Sequence, residues 1–100
     1  MNPDGMQPYR LTLVGDVAKE IKSLAQQAAL FGKKRAYLDA WLAIEKRLAN
    51  TPTDFGEYCF SLLKGDMLCH IGAIQPVAVR FAIHEKSRDV FVLKVFLLGS

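Results

Sequence analysis

The side chains of this sequence with the clearest capacity for chemistry are His70, Arg80, His84 and Lys94. Arg80 and His84 stand four residues apart in a segment of alternating apolar and polar character, so in a strand they share one face. Lys94 takes the corresponding outward position on the following segment, and His70, on the preceding one, could complete a quartet. Metal-free cleavage of an RNA phosphodiester needs a base for the 2′-hydroxyl proton, a cation for the charge on the phosphorane-like transition state, and an acid for the leaving oxygen. Two cations and an imidazole that titrates near neutral pH would supply those functions. Each group also has a plainer role. An outward Arg solubilises a strand face or pairs with a carboxylate, His84 beside Glu85 is an ordinary turn histidine, and His70 between Cys69 and Ile71 is a half-buried, hydrogen-bonded one.

The triplet Lys33, Lys34 and Arg35 is a second candidate, a compact positive site that could contact nucleic-acid phosphate or simply be a solvated junction. Tyr37 and Trp41 stand at helical spacing and read as core packing, because base-stacking platforms sit on exposed sheet faces. The sequence has no Gly-rich phosphate loop, no metal-ligand cluster of usable spacing and no Ser/His/Asp set, since Ser61 and His70 on adjacent strands do not make a triad. No cofactor is expected. Cys59 and Cys69 lack CxxC spacing and sit among apolar residues, so they are expected to be buried, reduced thiols.

Composition sets the scale on which these groups must be held. A chain of 100 residues that is 51% hydrophobic suits one domain with one core, and burial of roughly two-thirds of its surface suffices without disulfide staples. The net charge of +3 lies in the first half, where 8 Lys and Arg face 5 Asp and Glu, against 5 of each in residues 51–100. That is a mild bias, short of a concentrated nucleic-acid stripe. The opening MNPDGMQP has no basic cluster and no apolar run, so it is not expected to act as a signal peptide. The most apolar stretch, Val90 to Leu98, is interrupted by Lys94 and is well short of the roughly 20 residues that span a bilayer, so no membrane role is expected.

The elements follow from two periods. Tyr9 to Val14 alternates and predicts a strand ended by Gly15, with Asp16 as a side-chain N-cap for a helix from Val17. Val17, Ile21, Leu24, Ala28 and Phe31 form its buried stripe, and Gly32 stops it. After the basic link, Tyr37, Leu38, Trp41, Leu42, Ile44 and Leu48 form the broad apolar face of a second helix that ends at Asn50, where Asn tolerates the left-handed conformation and Pro52 blocks continuation. Beyond Pro52 the period becomes two. Tyr58, Phe60 and Leu62 alternate with polar neighbours, Lys64-Gly65-Asp66 offers a turn, and Met67 to Ile71 forms the partner strand before a loop punctuated by Gly72 and Pro76. Val77, Val79, Phe81 and Ile83 then predict a strand, Glu85 to Asp89 a turn, and Phe91, Leu93, Val95 and Leu97 the inner face of a last strand. Val92, Phe96 and Leu98 would be apolar on its outer face, which marks an interaction surface. The predicted fold is a single α+β domain over residues 1–100, β-α-α-β-β-β-β, with a helical hairpin packed on an antiparallel-rich sheet.

This order of elements resembles the RelE/ParE-type toxin superfamily of bacterial type II toxin–antitoxin systems, from about Tyr9 to Leu98. Leu48-Ala49-Asn50-Thr51-Pro52-Thr53-Asp54-Phe55-Gly56-Glu57 is similar to that family's exit from the second helix, and Val77 to Leu97 to its closing hairpin with an embedded arginine. The resemblance implies a cytoplasmic toxin neutralised by an antitoxin protein that wraps the sheet and helices. It also implies one of two activities, cleavage of mRNA on the ribosome or inhibition of DNA gyrase. Cleaving members carry clustered Lys, Arg, His or Tyr on the open sheet face and in a tail after the last strand. Here Gly99-Ser100 follow that strand directly and the tail residues have no counterpart, which puts endoribonuclease activity in question. A non-enzymatic module that keeps the fold and uses its apolar surface for a partner or for a homodimer is the competing expectation.

Overall fold

The computed structural model describes residues 8–62 and 66–99. Strand β1 (Arg10–Leu13) leads through Gly15 into helix α1 (Val17–Leu30), which is followed by α2 (Lys34–Asn50), a single 3-10 turn (Pro52–Asp54) and four strands: β2 (Glu57–Leu62), β3 (Met67–Ile74), β4 (Val77–His84) and β5 (Asp89–Leu97). They make one sheet of order β1-β5-β4-β3-β2. The β2–β3, β3–β4 and β4–β5 pairs are antiparallel, while β1 joins the far edge parallel to β5, so the sheet is mixed. Among the described residues no helix is long and apolar enough to cross a membrane. The Lys64-Gly65-Asp66 turn falls mostly outside the described residues, as does most of the opening segment.

The core lies between the hairpin and one sheet face. Tyr37, Ala40, Trp41, Ile44 and Leu48 of α2 and Val17 and Ala28 of α1 pack on Val77, Val79, Phe81 and Ile83 of β4 and Val90, Val92 and Val95 of β5. Each fully buried large side chain contributes about 2 kcal/mol. The buried Tyr37 also crosses the hairpin, donating its hydroxyl to the Ile21 carbonyl at 2.9 Å, and burial pushes its ionisation upward.

Several local expectations need correction. The Asp16 carboxylate makes no capping bond, and its backbone carbonyl accepts from Glu20 N–H instead. Phe31 is not in the buried stripe: it follows the last helical residue and stands 62% exposed, and Leu38 and Leu42 lie on the solvent side of α2. Helix α2 does end at Asn50, but Thr51 closes it with φ −138°, outside the left-handed region. The Lys33–Arg35 link shrinks to Lys33, because Lys34 and Arg35 already belong to the first turn of α2. Cys69 is buried and Cys59 is exposed, since β2 is an edge strand; both are free thiols.

Two departures concern register. A bulge between β4 and β5 pairs Arg80 with Lys94 but Phe81 with Val92, leaving Leu93 as the extra residue. The inner set is therefore Val90, Val92, Val95 and Leu97, and Val92, expected outside, is fully buried. An unbroken two-residue period could not anticipate this, because a bulge exchanges the faces on one side of it. Gly72, expected in a loop, lies inside β3, where a Cβ would come 2.7 Å from the Phe55 ring. Its partner Gly56 has φ +73° and lies against the Ile71 carbonyl, so neither position admits a side chain without displacement. These two glycines let the exit from α2 lie flat on β3.

Candidate functional site

The sheet face away from the helices holds most of the groups capable of chemistry. Alternation along β4 turns Ala78, Arg80, Ala82 and His84 to that face. The register then sets Lys94 and Ile71 beside Arg80, Phe91 and Cys69 beside Ala82, and Asp89 beside His84. The parallel pairing of β1 adds Arg10 next to Asp89. Two polar groups result, one around Arg80 and one around His84, separated by Ala82. At about 3.3 Å per residue they stand roughly 13 Å apart, too far to act on one phosphate.

The His84 group is a chain of hydrogen bonds. Arg10 Nε donates to Asp89 Oδ1 at 2.9 Å and Nη2 to Oδ2 at 3.2 Å, and the Ser87 hydroxyl donates to Asp89 Oδ2 at 2.6 Å. His84 Nδ1 lies 2.6 Å from Ser87 Oγ and 3.3 Å from the Ser87 amide nitrogen. With the hydroxyl proton committed to Asp89, an imidazolium donates Nδ1–H to Oγ, and a neutral ring accepts from the Ser87 N–H. The hydrogen bonds from Arg10 and then from Ser87 hold the Asp89 carboxyl below the usual carboxylate range, with the charges of Arg10 and His84 acting the same way against some desolvation. The same bond from Arg10 raises the guanidinium's own ionisation. The turn is closed by Arg88 N–H donating to the Glu85 carbonyl, and Arg88 takes a left-handed φ of +56° with its guanidinium 4.1 Å from the Tyr9 ring centroid. This group therefore locks β1 to the β4–β5 turn and leaves His84 Nε2 as the ring nitrogen outside the chain of bonds.

Arg80 is exposed, with its guanidinium 6.0 Å from the Phe96 ring centroid. Lys94 is its cross-strand neighbour, yet the ammonium lies 3.9 Å from Glu20 Oε2 on α1. It reaches that carboxylate because β1 ends opposite Val92, so the β5 edge is open where Lys94 stands. The partner matters to Glu20, whose Oε1 is buried without a hydrogen bond. A depression of about 350 Å³ beside the Arg80 group is lined by Gly56, Glu57, Ile71, Gly72, Ala73 and Ala78.

His70 does not join this face. It stands opposite Phe81 and Tyr58, and thus on the helix side of the sheet, because its separation in register from Arg80 is odd. There it is buried, with Nδ1 3.2 Å from the Phe55 carbonyl and its ring 5.5 Å from that of Phe81, which makes it a packing and positioning residue. The basic triplet is also dispersed: Lys33 Nζ donates to the Gly99 carbonyl at 3.0 Å, while exposed Arg35 lies 3.5 Å from Asp39. Lys34 and Arg35 stand at the positive end of the α2 dipole, which favours anions nearby. Sequence reasoning missed Arg10, Ser87, Asp89 and Glu20. The first three required knowing that β1 runs beside β5, and Glu20 required knowing that the β5 edge is open. Among the described residues no group of His, Cys, Asp or Glu could hold a metal ion.

No family model matches the chain, and no curated protein gives a significant match. Among solved structures, a chain in the crystal structure of an archaeal RelE–RelB complex from Pyrococcus horikoshii matches with a TM-score of 0.61. The fold is RelE-like. The alignment covers 91% of this chain and 96% of that one at 18% identity, so the RelE-like architecture spans the helical hairpin and the sheet together. At this identity the likeness concerns the path of the backbone, and the RelE-like scaffold here carries its own side chains.

Proposed function

We propose that this chain is the toxin-like member of a toxin–antitoxin pair, acting in the cytoplasm, and that it binds an antitoxin protein. The observation that carries this reading is the near-complete RelE-like fold, whose structural neighbour was crystallised as a RelE–RelB complex. A protein partner also suits the surface. Leu30, Phe31, Leu38 and Leu42 are exposed on the hairpin, and Tyr58, Phe60 and Leu62 are exposed on the edge strand β2, a combination that favours burial against another chain.

Cleavage of mRNA at the ribosome is the activity proposed for the outer sheet face, with Arg80 as the cation that stabilises the transition state and Lys94 as its neighbour. His84 is too distant from Arg80 to serve the same phosphate, so the base and acid would have to come from elsewhere in the assembled complex. A second reading, a non-enzymatic binding module, is favoured by one observation: Lys94 is already engaged by Glu20. Co-expression with the product of the adjacent small reading frame tests the binding proposal, which predicts a stable complex on size exclusion; two separately eluting proteins would remove it. Mapping of mRNA ends with wild type and Arg80→Ala separates the two readings, since cleavage that survives the substitution takes Arg80 out of the site.

A further inference from the structure

We propose that Cys59 and Cys69 form a redox-convertible pair that closes into a cross-strand disulfide, fastening the edge strand β2 to β3. The pairing of β2 with β3 shifts between Tyr58, opposite His70, and Phe60, opposite Cys69, so Cys59 is the extra residue of a β-bulge. In a bulge two residues on one strand face a single residue on the other, which sets Cys59 and Phe60 together against Cys69. The direct pair, Phe60 and Cys69, has Cα atoms about 4.5–5.5 Å apart, and the bulged Cys59 adjoins it facing the same residue, which brings the two cysteines within the range that disulfides span, up to about 6.8 Å between Cα atoms. Burial pushes the Cys69 thiol up and Cys59 acts in the same direction, while Arg80 opposes both.

The two thiols divide the work. Cys59 is exposed on the sheet edge and meets an oxidant first, while Cys69 is 1% exposed. The Cys59 Sγ–H now lies 3.7 Å from the Glu57 carbonyl, a weak contact that closure exchanges for the bond to Cys69. With a small-molecule disulfide as co-reactant, the Cys59 thiolate attacks one sulfur, the small disulfide bond breaks and one small thiolate leaves. Cys69, as its thiolate, then attacks Cys59 Sγ and expels the second. The protein loses two protons and two electrons, and the small disulfide takes them up as two thiols. Because burial disfavours the Cys69 thiolate, the second step is the slow one, and a mixed disulfide on Cys59 precedes the closed bond. The consequence is local. The edge strand is exposed along its whole length, and closure pins it while placing a neutral disulfide beside Arg80 in place of a thiol.

The test uses the full chain in graded mixtures of oxidised and reduced glutathione, read by intact mass after alkylation, non-reducing gel and thermal melting. The expected product is a monomer that has lost two hydrogens and no longer takes up alkylating agent at either cysteine. Its Tm should be higher by roughly 10–20 °C, from the constraint on the short loop between the two positions, and adding reductant should reverse the change. Cys69→Ala should stop at the glutathione adduct on Cys59, and Cys59→Ser should remain unmodified. A wild-type protein that stops at the mixed disulfide, or that forms a Cys59-linked covalent dimer, overturns the pairing.

Discussion

Replacing Gly72 by Ala probes the contact that seats the α2 exit on the sheet. A Cβ built there would lie 2.7 Å from Phe55 Cε2 and 2.9 Å from both Cδ2 and Cζ. Carbon atoms in favourable contact stand about 3.5–4.0 Å apart, so the ring must move by about 1 Å. It has little room to do so: Phe55 is 5% exposed, its ring is stacked on Phe81 at 5.8 Å, and Arg47 stands 5.0 Å away over the ring. The Phe55 carbonyl is also held by His70. Overpacking of this kind costs about 1–3 kcal/mol, and removing a glycine from a strand returns about 0.5–1 kcal/mol. A net loss of about 1–2 kcal/mol is expected, equivalent to a Tm lower by roughly 5–15 °C in calorimetry or circular dichroism. Adding Phe55→Leu should be strongly non-additive, because the clash is gone once the ring is gone. A Gly72→Ala protein that melts with wild type, or a double variant whose losses simply add, would refute the reasoning.

Four further outcomes follow from particular contacts. Tyr37→Phe removes the hydroxyl that ties α2 to the Ile21 carbonyl and should cost about 1 kcal/mol in denaturant unfolding; an unchanged midpoint would show that the bond contributes nothing. Asp89→Asn should destabilise at neutral pH. Because the Asp89 carboxyl is lowered in the fold, its contribution is present above the unfolded value near 3.9 and is lost as pH falls through the folded one, so melting curves of variant and wild type should converge between about pH 5 and pH 2. Glu45 has the opposite sign: burial raises its carboxyl, so Glu45→Gln should melt higher than wild type at pH 7, with the difference vanishing once both carboxyl states are protonated. Arg80→Ala should change stability by less than about 0.5 kcal/mol, since the side chain is exposed, while abolishing any growth inhibition. Loss of both together would mark a structural role.

The change of period at Pro52 was enough to place two helices before a sheet and to locate Val77, Val79, Phe81 and Ile83 in the core, because burial on one face enforces those spacings. What alternation does not encode is the bulge. It moved Val92 inward and decided which residues neighbour Arg80, and nothing in the run Val90 to Leu98 marks Leu93 as the extra residue. The parallel docking of β1 was equally hidden, so the Arg10–Asp89–Ser87–His84 chain, whose Arg10–Asp89 link joins residues 79 positions apart, had no local signal. His70 takes the plainer of its two roles, a buried histidine hydrogen-bonded to the Phe55 carbonyl; spacing alone left a place beside Arg80 open, because its register relative to Arg80 depends on a turn whose geometry spacing does not determine. Phe31, Leu38 and Leu42 illustrate a further ambiguity, since an apolar residue near the margin of a helical stripe serves equally for the core or for a partner.

Growth after induction of this chain in bacterial cells, alone and together with the adjacent small reading frame, bears most directly on the toxin-like reading. Arrest with the chain alone and normal growth with both is the predicted result. Equal growth in the two cultures, with the chain present at the same level in each, would contradict it.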